Sequence, residues 1–488
     1  MNKFFKLYIN ENIKLFKRQS SYIFIILAVI TLFIAYGIAV MNKNISDKYV
    51  EQERSNEILQ SQIDGLKDQL KISNKEDEIS YRTQIEVYEY ALKNDIKINS
   101  QYINYQSELI YKLLGEKNIL NNIDKVFMKK EYEQQVLKVD EIQKILDNKD
   151  FNKYIELNKE KIQKDYDNKI TTEFEYNLNM QNENFKLKYE INKYSDSETA
   201  WKKSVSDDII LIEKSIKNKF NEYQDKYLTE KDIQTLNEQK LINIYKLENN
   251  IKPDYSNGST NYREMYESNS INMSLMFIGL LLIIAASASI SEEIAKGTIK
   301  FLIITPFKRY KILLAKLLTY TVALVVLTLI LSQLNVLVGD MFFKEKSSDY
   351  IYVVNDTVQV MGASQYMSVT YMLYMPEIFI YILLGIVLST TIRSTTIANT
   401  LTIMLYIGSP IVMAILNSLL RVDWLKYLPI DNFSLVSKVL PTYNFTTDNM
   451  LSNASANTTL EFSIIVLSVT AILLLITMFE SFNKRDII

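Results

Sequence analysis

Two adjacent carboxylates, Glu292 and Glu293, are the residues of this 488-residue chain whose types most directly suggest chemistry. A pair of carboxylates can act as general acid and base. These two, however, lie at the edge of a long apolar run, where water reaches them and pairing with nearby cations is the commoner role. We therefore expect them to face basic groups of this chain, or a basic groove of a partner, rather than a substrate.

The composition excludes most familiar catalytic sites. The chain contains no Cys and no His, which rules out disulfides, thiolate chemistry, imidazole bases and histidine metal ligands. It also lacks the Gly-x-x-x-x-Gly-Lys-[Ser/Thr] loop, so it cannot hydrolyse ATP in the P-loop manner by itself. Its net charge of -2 provides no basic footprint for nucleic acid. We expect no catalytic residue, no metal and no cofactor bound by this chain.

Polar side chains inside long apolar runs are candidates for lining a substrate path. Six of them are Thr328, Gln333, Asn335, Asn399, Thr402 and Tyr406. The alternative role, hydrogen bonding between helices, needs no substrate and is the more common one. The sequence predicts no Lys, Arg, Asp or Glu near the centre of a span. That pattern argues against a proton relay or an ion-coupled carrier.

The elements that must position these residues are six apolar runs. Stretches of about 18 or more nearly uncharged residues predict transmembrane helices. The predicted spans are residues 21–40, 271–290, 312–338, 377–392, 395–420 and 461–480. The fourth is short for a span, and Pro376 suits the first turn of its helix. The sequence thus predicts an all-α polytopic membrane protein.

Basic residues indicate which segments lie in the cytoplasm. The loop 291–311 is rich in Lys and Arg, as short cytoplasmic loops are. Residues 1–20 have the pattern of a basic amphipathic helix that lies at the inner membrane surface. The tail 481–488 contains a Lys-Arg pair. We expect both termini in the cytoplasm and three outer segments, 41–270, 339–376 and 421–460.

The largest outer segment, residues 41–270, predicts a mainly helical, coiled-coil-like extracellular domain. It contains three Gly and one Pro, a scarcity that favours long helices. Apolar residues at steps of four and three predict a packing seam, as in Leu59, Ile63, Leu66 and Leu70. We expect a helical stalk that leaves the first span and returns to the second after a break at residues 253–260.

A second outer segment, 339–376, contains a predicted β-hairpin. The runs 351–354 and 357–360 are rich in β-branched residues, and Asn355-Asp356 between them tolerates positive φ. We therefore expect two short antiparallel strands joined by a two-residue turn.

The loop 291–311 predicts short helices bounded by two breakers. Gly297 can adopt the left-handed conformation that ends a helix without steric cost. Pro306 ends the next short helix, because proline restricts the residue before it and lacks a backbone donor. The apolar residues between them are expected to pack on the spans or on a partner.

The order of residues here resembles the signature of ABC-2 type permeases, the membrane subunits of ATP-driven exporters that are also grouped as type V exporters. Nine residues carry the resemblance: Glu292, Glu293, Gly297, Thr298, Ile299, Leu302, Pro306, Arg309 and Lys316. In that family the segment is a coupling helix that rests in a groove of a separate ATPase subunit. The resemblance therefore implies an ATPase-coupling role for these nine. Ala315 departs from the family pattern, which usually has Gly before the lysine.

The resemblance implies a permease subunit without its own ATPase site, in a bacterial plasma membrane. It would pair with a second permease copy or a homologue, and ATP and Mg would be bound by the partner ATPase subunit. A path with few charges suits an amphipathic or hydrophobic cargo such as a peptide, a bacteriocin or a lipid-like molecule. Such export would serve antimicrobial peptide secretion or immunity.

A motor-free membrane scaffold or receptor is the alternative. Phage-infection-type proteins and type VII secretion accessory proteins are similar to ABC-2 permeases in the membrane and project long helical stalks. A membrane-anchored coiled coil is a third, poorer interpretation, since a simple anchor needs one span rather than six.

Overall fold

The computed structural model describes most of the chain. The described residues are 3–51, 55–98, 104–194, 199–222, 225–252, 255–256, 259–260, 262–298, 308–343, 349–392, 394–420, 423–440 and 458–483. The chain divides into two compact units. Met1–Met41, Tyr262–Tyr352 and Gln359–Ile488 form the first, here called the membrane unit. Asn42–Asn261 and Val353–Val358 form the second, called the helical unit.

Helices account for most of the described residues. In chain order they are α1 (Lys3–Lys17), α2 (Gln19–Glu51), α3 (Ser55–Ile72), α4 (Lys75–Lys93), α5 (Tyr105–Asn122), α6 (Lys129–Asp147), α7 (Phe151–Asp167), α8 (Glu173–Tyr189), α9 (Trp201–Asn218), α10 (Glu230–Asn249), α11 (Tyr262–Ala288), α12 (Ser291–Ala295), α13 (Arg309–Phe342), α14 (Ala363–Thr391), α15 (Thr395–Leu420), α16 (Val436–Val439) and α17 (Leu460–Asn483). Two 3₁₀ helices, Asp423–Tyr427 and Pro429–Asn432, follow α15.

Six helices of the described residues are long and apolar enough to cross a membrane. The candidate spans are Gln19–Ile45, Asn269–Ala288, Arg309–Phe342, Ala363–Thr391, Thr395–Asn417 and Leu460–Asn483. They belong to α2, α11, α13, α14, α15 and α17. The prediction of an all-α polytopic membrane protein with six spans is therefore confirmed at this level.

The fourth span differs from its prediction. Its helix runs from Ala363 to Thr391, so it starts fourteen residues before the predicted Glu377 and Pro376 lies inside it rather than in its first turn. An internal proline removes one backbone hydrogen bond, a loss that neighbouring helices can offset in a membrane bundle. As a result, the predicted loop 339–376 shrinks to the connection between Phe342 and Ala363.

That connection contains the predicted hairpin. Strands β5 (Tyr350–Val354) and β6 (Thr357–Met361) form a two-stranded sheet. Asn355 and Asp356 have φ of 49° and 58°, the pair of positive values that a two-residue type I′ turn requires. The hairpin prediction is confirmed.

The helical unit packs α3 to α10 around two apolar cores. Leu59 and Ile63 are fully buried in the larger core, and Leu66 and Leu70 pack against it, as the predicted seam requires. Tyr189, Ile191, Trp201 and Leu247 contribute to the smaller core. The strands in the described residues form three two-stranded sheets. Their strands are β1 (Phe220–Asn221) with β2 (Lys226–Tyr227), β3 (Tyr255–Ser256) with β4 (Ser259–Thr260), and β5 with β6.

The eight helices of this unit are 17 to 20 residues long, shorter than the scarcity of Gly and Pro predicts. Their ends are made by other residues. Lys149, Lys169, Glu190, Lys219 and Asn250 take positive φ just after a helix. Asn and Asp adopt this conformation more readily than most residues, whereas Lys and Glu seldom do. The residue types at most of these positions therefore did not predict that a helix ends there. Side chains such as Asp150, Thr172 and Thr229 cap the following helices.

Candidate functional site

One end of the membrane unit gathers segments that are far apart in sequence. The ends of α1 and α11, the short α12 and the start of α13 meet there. Backbone N–H groups of Ile290 and Ser291 donate to Ser389 Oγ at 2.9 and 3.0 Å, which joins the start of α12 to the end of α14. Arg309 Nη1 donates to the carbonyl of Asn483 at 3.3 Å, joining α13 to the end of α17.

Lys316 is the centre of this end. It lies two turns inside α13, and its side chain is 2% exposed. Its Nζ donates to Glu11 Oε2 at 2.8 Å and to Glu293 Oε1 at 3.0 Å. A buried ammonium requires paired and hydrogen-bonded anions, because removing a charge from water costs several kcal/mol. The two carboxylates, from α1 and α12, supply that compensation.

Three further cations extend the pair into a network. Lys14 Nζ lies 2.8 Å from Glu11 Oε1 and 2.9 Å from Glu293 Oε1. Arg18 Nη2 lies 2.6 Å from Glu292 Oε2, and Lys296 Nζ lies 2.7 Å from Glu292 Oε1. We call these seven residues the charge network: Glu11, Lys14, Arg18, Glu292, Glu293, Lys296 and Lys316. It joins α12 to α1 and to α13.

The network shifts the ionisation of its members. Burial alone would raise the pKa of Glu11, but the charges of Lys316 and Lys14 outweigh it and hold that pKa below its ordinary value. Burial acts on Glu292 in the same sense, and Lys296 and Arg18 bring its pKa below the ordinary value too. Burial and Lys316 disfavour the charge on Lys14, yet Glu11 and Glu293 raise its pKa. These three groups therefore stay charged at neutral pH.

A cavity of about 470 Å³ lies beside the network. Residues of α1, α11, α12 and α13 line it, together with four residues between these helices: Arg18, Ser289, Lys296 and Thr298. Glu293 Oε2 is buried and makes no hydrogen bond within the described residues.

The structure brings together three of the nine residues predicted to couple to an ATPase, Glu292, Glu293 and Lys316. Gly297 has φ of +69° directly after α12, so its predicted role as a helix terminator is confirmed. Thr298 Oγ1 donates to the carbonyl of Glu293 at 3.3 Å. Arg309 donates to the carbonyl of Asn483. Ile299, Leu302 and Pro306 lie outside the described residues.

Sequence reasoning missed Glu11, Lys14 and Arg18 as members of this site. A signal was present for the first of them. Glu11 is the only acidic residue of the basic helix α1, and Lys316 is the only charged residue of the predicted third span. Two isolated opposite charges in such surroundings need partners, although neither residue alone shows which partner it takes.

Among the six residues proposed for a substrate path, Asn335 joins four helices. Its Oδ1 accepts from Tyr36 at 2.6 Å, and its Nδ2 donates to Ser270 Oγ at 2.9 Å and to Tyr371 Oη at 3.0 Å. These partners lie on α2, α11 and α14, so the interhelical role considered for Asn335 accounts for all of these bonds.

The other five make simpler contacts. Thr328 and Thr402 bond to carbonyls of their own helices, at Leu324 and Ala398. Gln333 bonds to Ser364 and Ser368 of α14, and Asn399 accepts from Ser287 of α11 at 2.6 Å. Tyr406 packs its ring 5.1 Å from Tyr381, edge to face. A substrate path along these residues stays a prediction.

One expectation about charges in the spans is wrong. Glu377, taken as the first residue of the fourth span, lies midway along its 29-residue helix, because the helix begins at Ala363. Lys316 also lies within a candidate span, close to its start. The spans therefore contain one acidic residue at depth and one buried lysine near an end.

The fold and the charge network define a multi-pass membrane protein whose N-terminal helix α1 is bound to the ends of its spans. The chain belongs to the family described as protein of unknown function (DUF2705), which matches residues 242–488 and so includes five of the six candidate spans. It is also similar to the Uncharacterized protein YhcI of Bacillus subtilis (strain 168). The two are 27% identical over 250 residues, which cover 50% of this chain and 74% of that protein.

Proposed function

We propose that this chain is the permease subunit of an ATP-driven exporter, which pairs with a second copy or a homologue and couples to a separate ATPase subunit. The charge network is the observation that carries the proposal. It binds the short helix α12, which contains the Glu292-Glu293 pair of the ABC-2-like signature, to α1 and α13. A permease that is driven by a separate ATPase subunit needs a rigid connection between the segment that contacts the ATPase and its membrane spans.

The network explains how a push would be transmitted. Glu293 reaches Lys316 of α13, and Glu292 reaches Arg18 at the junction of α1 and α2. Because α12 is only five residues long and shares these contacts, force on it displaces the inner ends of both span helices together. In the proposed orientation this end faces the cytoplasm, where the ATPase subunit is located.

The proposed cargo is an amphipathic or hydrophobic molecule such as a peptide, a bacteriocin or a lipid-like compound. The candidate spans carry few charges, and large apolar side chains of α15 and α17 remain exposed in the single chain. Such faces contact lipid or another apolar surface in a membrane.

Purification from the native membrane tests the proposal. The tagged full-length chain is extracted with mild detergent, and the complex is assayed for a co-purifying ABC ATPase and for ATP hydrolysis. We expect a stoichiometric ATPase subunit whose activity responds to hydrophobic peptides or lipids. A complex with no nucleotide-hydrolysing subunit overturns the proposal.

Charge substitutions locate the contact. Glu292→Arg breaks the pair with Arg18, and the double variant Glu292→Arg with Arg18→Glu restores an opposite-charge pair within the chain. If α12 binds the ATPase through Glu292, both variants lose the ATPase subunit. Recovery in the double variant would show that Glu292 acts only inside this chain. Glu131→Arg, at an exposed position of α6, is the control for an equal charge change.

The orientation can be measured directly because the chain has no native cysteine. We expect Thr298→Cys to react with an impermeant maleimide only after the membrane is opened. Asn122→Cys in the helical unit should react in intact cells. Reaction of Thr298→Cys in intact cells contradicts the cytoplasmic assignment.

A motor-free scaffold or receptor is the second candidate. The observation that favours it is the size of the helical unit, which has apolar cores of its own. The purification described above distinguishes the two candidates. If the chain is a scaffold, a partner bound to the helical unit should co-purify with it and no ATPase should.

A further inference from the structure

Glu377 is the one acidic residue at the middle of a candidate span in the described part of the chain. It lies about 21 Å along the axis of α14 from Thr391, and the hydrocarbon core of a bilayer is about 30 Å thick. Its carboxyl group makes no hydrogen bond and no ion pair within the described residues. Ionisable groups at such depth are costly and rare unless they have a function.

Aromatic residues share the helix face of this carboxyl group. Tyr374 and Tyr381 lie three residues before and four residues after Glu377, so they share its face of α14. Tyr381 contacts the rings of both Tyr406 and Phe433, with centroids 5.1 and 5.6 Å apart. Tyr381, Tyr406 and Phe433 thus form one aromatic cluster, and Tyr374 lies on the same face of α14 as the unpaired acid.

The polar ends of two of these tyrosines are already committed elsewhere. The hydroxyl of Tyr381 lies 2.5 Å from Ser409 Oγ. The hydroxyl of Tyr406 lies against Gly279 of α11, in space that a Cβ there would occupy. The Tyr381 hydroxyl is therefore engaged by Ser409, and the Tyr406 hydroxyl is packed against α11.

We propose that Glu377 and this cluster form a binding site for organic ammonium ions with an apolar tail, such as the amine of a cationic amphipathic peptide. A carboxylate supplies the counter-ion, aromatic faces attract the cation, and both contacts strengthen when water is excluded. Glu377 is only half-buried, so a ligand can reach it from the surface of the span bundle.

The role of this site in transport rests on the proposed function. The site adds to that function the statement that the exported molecule carries a positive charge. Binding itself does not require the ATPase subunit. The binding experiment therefore separates the two ideas: it can fail while an ATPase subunit is found, and it can succeed without one.

Ligand binding to the full-length chain in phosphatidylcholine nanodiscs tests the site. The probe is radiolabelled dodecyltrimethylammonium, which keeps its charge at any pH, and dodecanol is the neutral probe with the same tail. Empty nanodiscs give the partitioning background. We expect saturable binding of the cation by the wild-type chain and no saturable binding of dodecanol.

Three variants define the contacts. Glu377→Gln should weaken cation binding by about tenfold or more, and Tyr374→Leu by about threefold, as expected for loss of an ion pair and of one cation–π contact. Glu377→Asp keeps the charge and should bind within about threefold of the wild type. Glu461→Gln, which neutralises an exposed acid in the first turn of α17, should leave binding unchanged.

Equal cation affinity of the wild type and Glu377→Gln overturns the proposal. So does a change of oligomeric state in Glu377→Gln with no change in affinity, because the acid would then belong to a contact between copies. If Glu377→Gln does not fold, the proposal is decided by Tyr374→Leu and Glu377→Asp, and unchanged affinity in Tyr374→Leu counts against it.

Discussion

The helical unit and the membrane unit use ion pairs in different ways. In the helical unit, pairs such as Lys71–Asp68 and Arg82–Glu78 join neighbouring turns at the surface, with side chains at least 40% exposed. In the membrane unit, Lys316 and Glu11 are 2% and 4% exposed and come from helices 305 residues apart. Water reaches the first kind of pair, whereas the second kind is buried between separate helices.

The difference lies in the cost of breaking a pair. At the surface, water replaces a lost partner, and an exposed pair contributes about 0–1 kcal/mol. In a buried network, removing one partner leaves an uncompensated charge, and the loss is about 3–5 kcal/mol. Single charge substitutions should therefore matter more in the membrane unit than at the surface of the helical unit.

The largest effect is expected from Lys316→Met. It leaves Glu11 and Glu293 facing each other with Lys14 as their remaining cation, and should lower stability by about 3–5 kcal/mol. Thermal unfolding of the detergent-solubilised chain, followed by size-exclusion chromatography, measures it. Lys308→Met, at an exposed position just before α13, is the control and should behave as the wild type. A stable Lys316→Met protein would contradict the role assigned to the network.

Glu11→Gln should have the next largest effect, a loss of about 2 kcal/mol at neutral pH, because Lys316 keeps Glu293. The folded-state pKa of Glu11 lies below its ordinary value of 4.5. The stabilisation is therefore complete above about pH 4.5 and is lost as pH falls through the folded pKa. Unfolding temperatures of the two proteins should converge on acidification below pH 4.5. A constant difference down to pH 3 would assign the effect to packing instead.

Asp208→Asn should stabilise the helical unit by about 1 kcal/mol at pH 7, after allowance for partial exposure. Burial and the neighbouring Asp207 raise the pKa of Asp208 to about 6, against the opposing charge of Lys246. Because the folded pKa is raised from 3.8, the native state loses stability as pH rises through about 6. The gain should therefore disappear below pH 4.

The fluorescence of Trp201, buried in the smaller core of the helical unit, reports this transition in a Trp424→Phe background. Asp140→Asn, at an exposed position of α6, is the matched control. Equal unfolding of Asp208→Asn and the wild type at pH 7 would show that the carboxylate is adequately solvated.

The smallest effect is expected from Glu89→Gln. It removes the partner of Lys67 in a pair whose side chains are about half exposed, 2.7 Å apart between α3 and α4. We expect a change within about 0.5 kcal/mol in the same fluorescence assay. If Glu89→Gln lowered the free energy of unfolding by more than about 2 kcal/mol, exposed ion pairs of the helical unit would matter as much as the buried ones of the membrane unit.

Local signals in the sequence were sufficient for several elements. Gly297 was predicted to end a helix from its type alone, and its φ of +69° follows α12 directly. The hairpin at Asn355-Asp356 and the six spans are likewise properties of short windows of sequence. In each case the controlling interaction lies within a few residues, so no knowledge of distant contacts was needed.

Distant contacts account for what was missed. Glu11 and Lys316 are on different helices, and no local pattern specifies their pairing. Glu377 was misplaced because Pro376 before it favours the start of a helix, while the packing of α14 between α11, α13, α15 and α17 stabilises a longer one. The ends of the helical unit's helices were missed because Lys and Glu rarely take positive φ, and only their surroundings impose it.

The contact between Tyr406 and Gly279 restricts how two span helices can move. The phenol oxygen occupies the place where a Cβ of residue 279 would be, so it fills a notch in α11. Sliding α15 along α11 by even one residue would drive that oxygen into a neighbouring side chain. The two helices therefore move as one rigid body or separate laterally. The contact prevents α15 from sliding along the axis of α11.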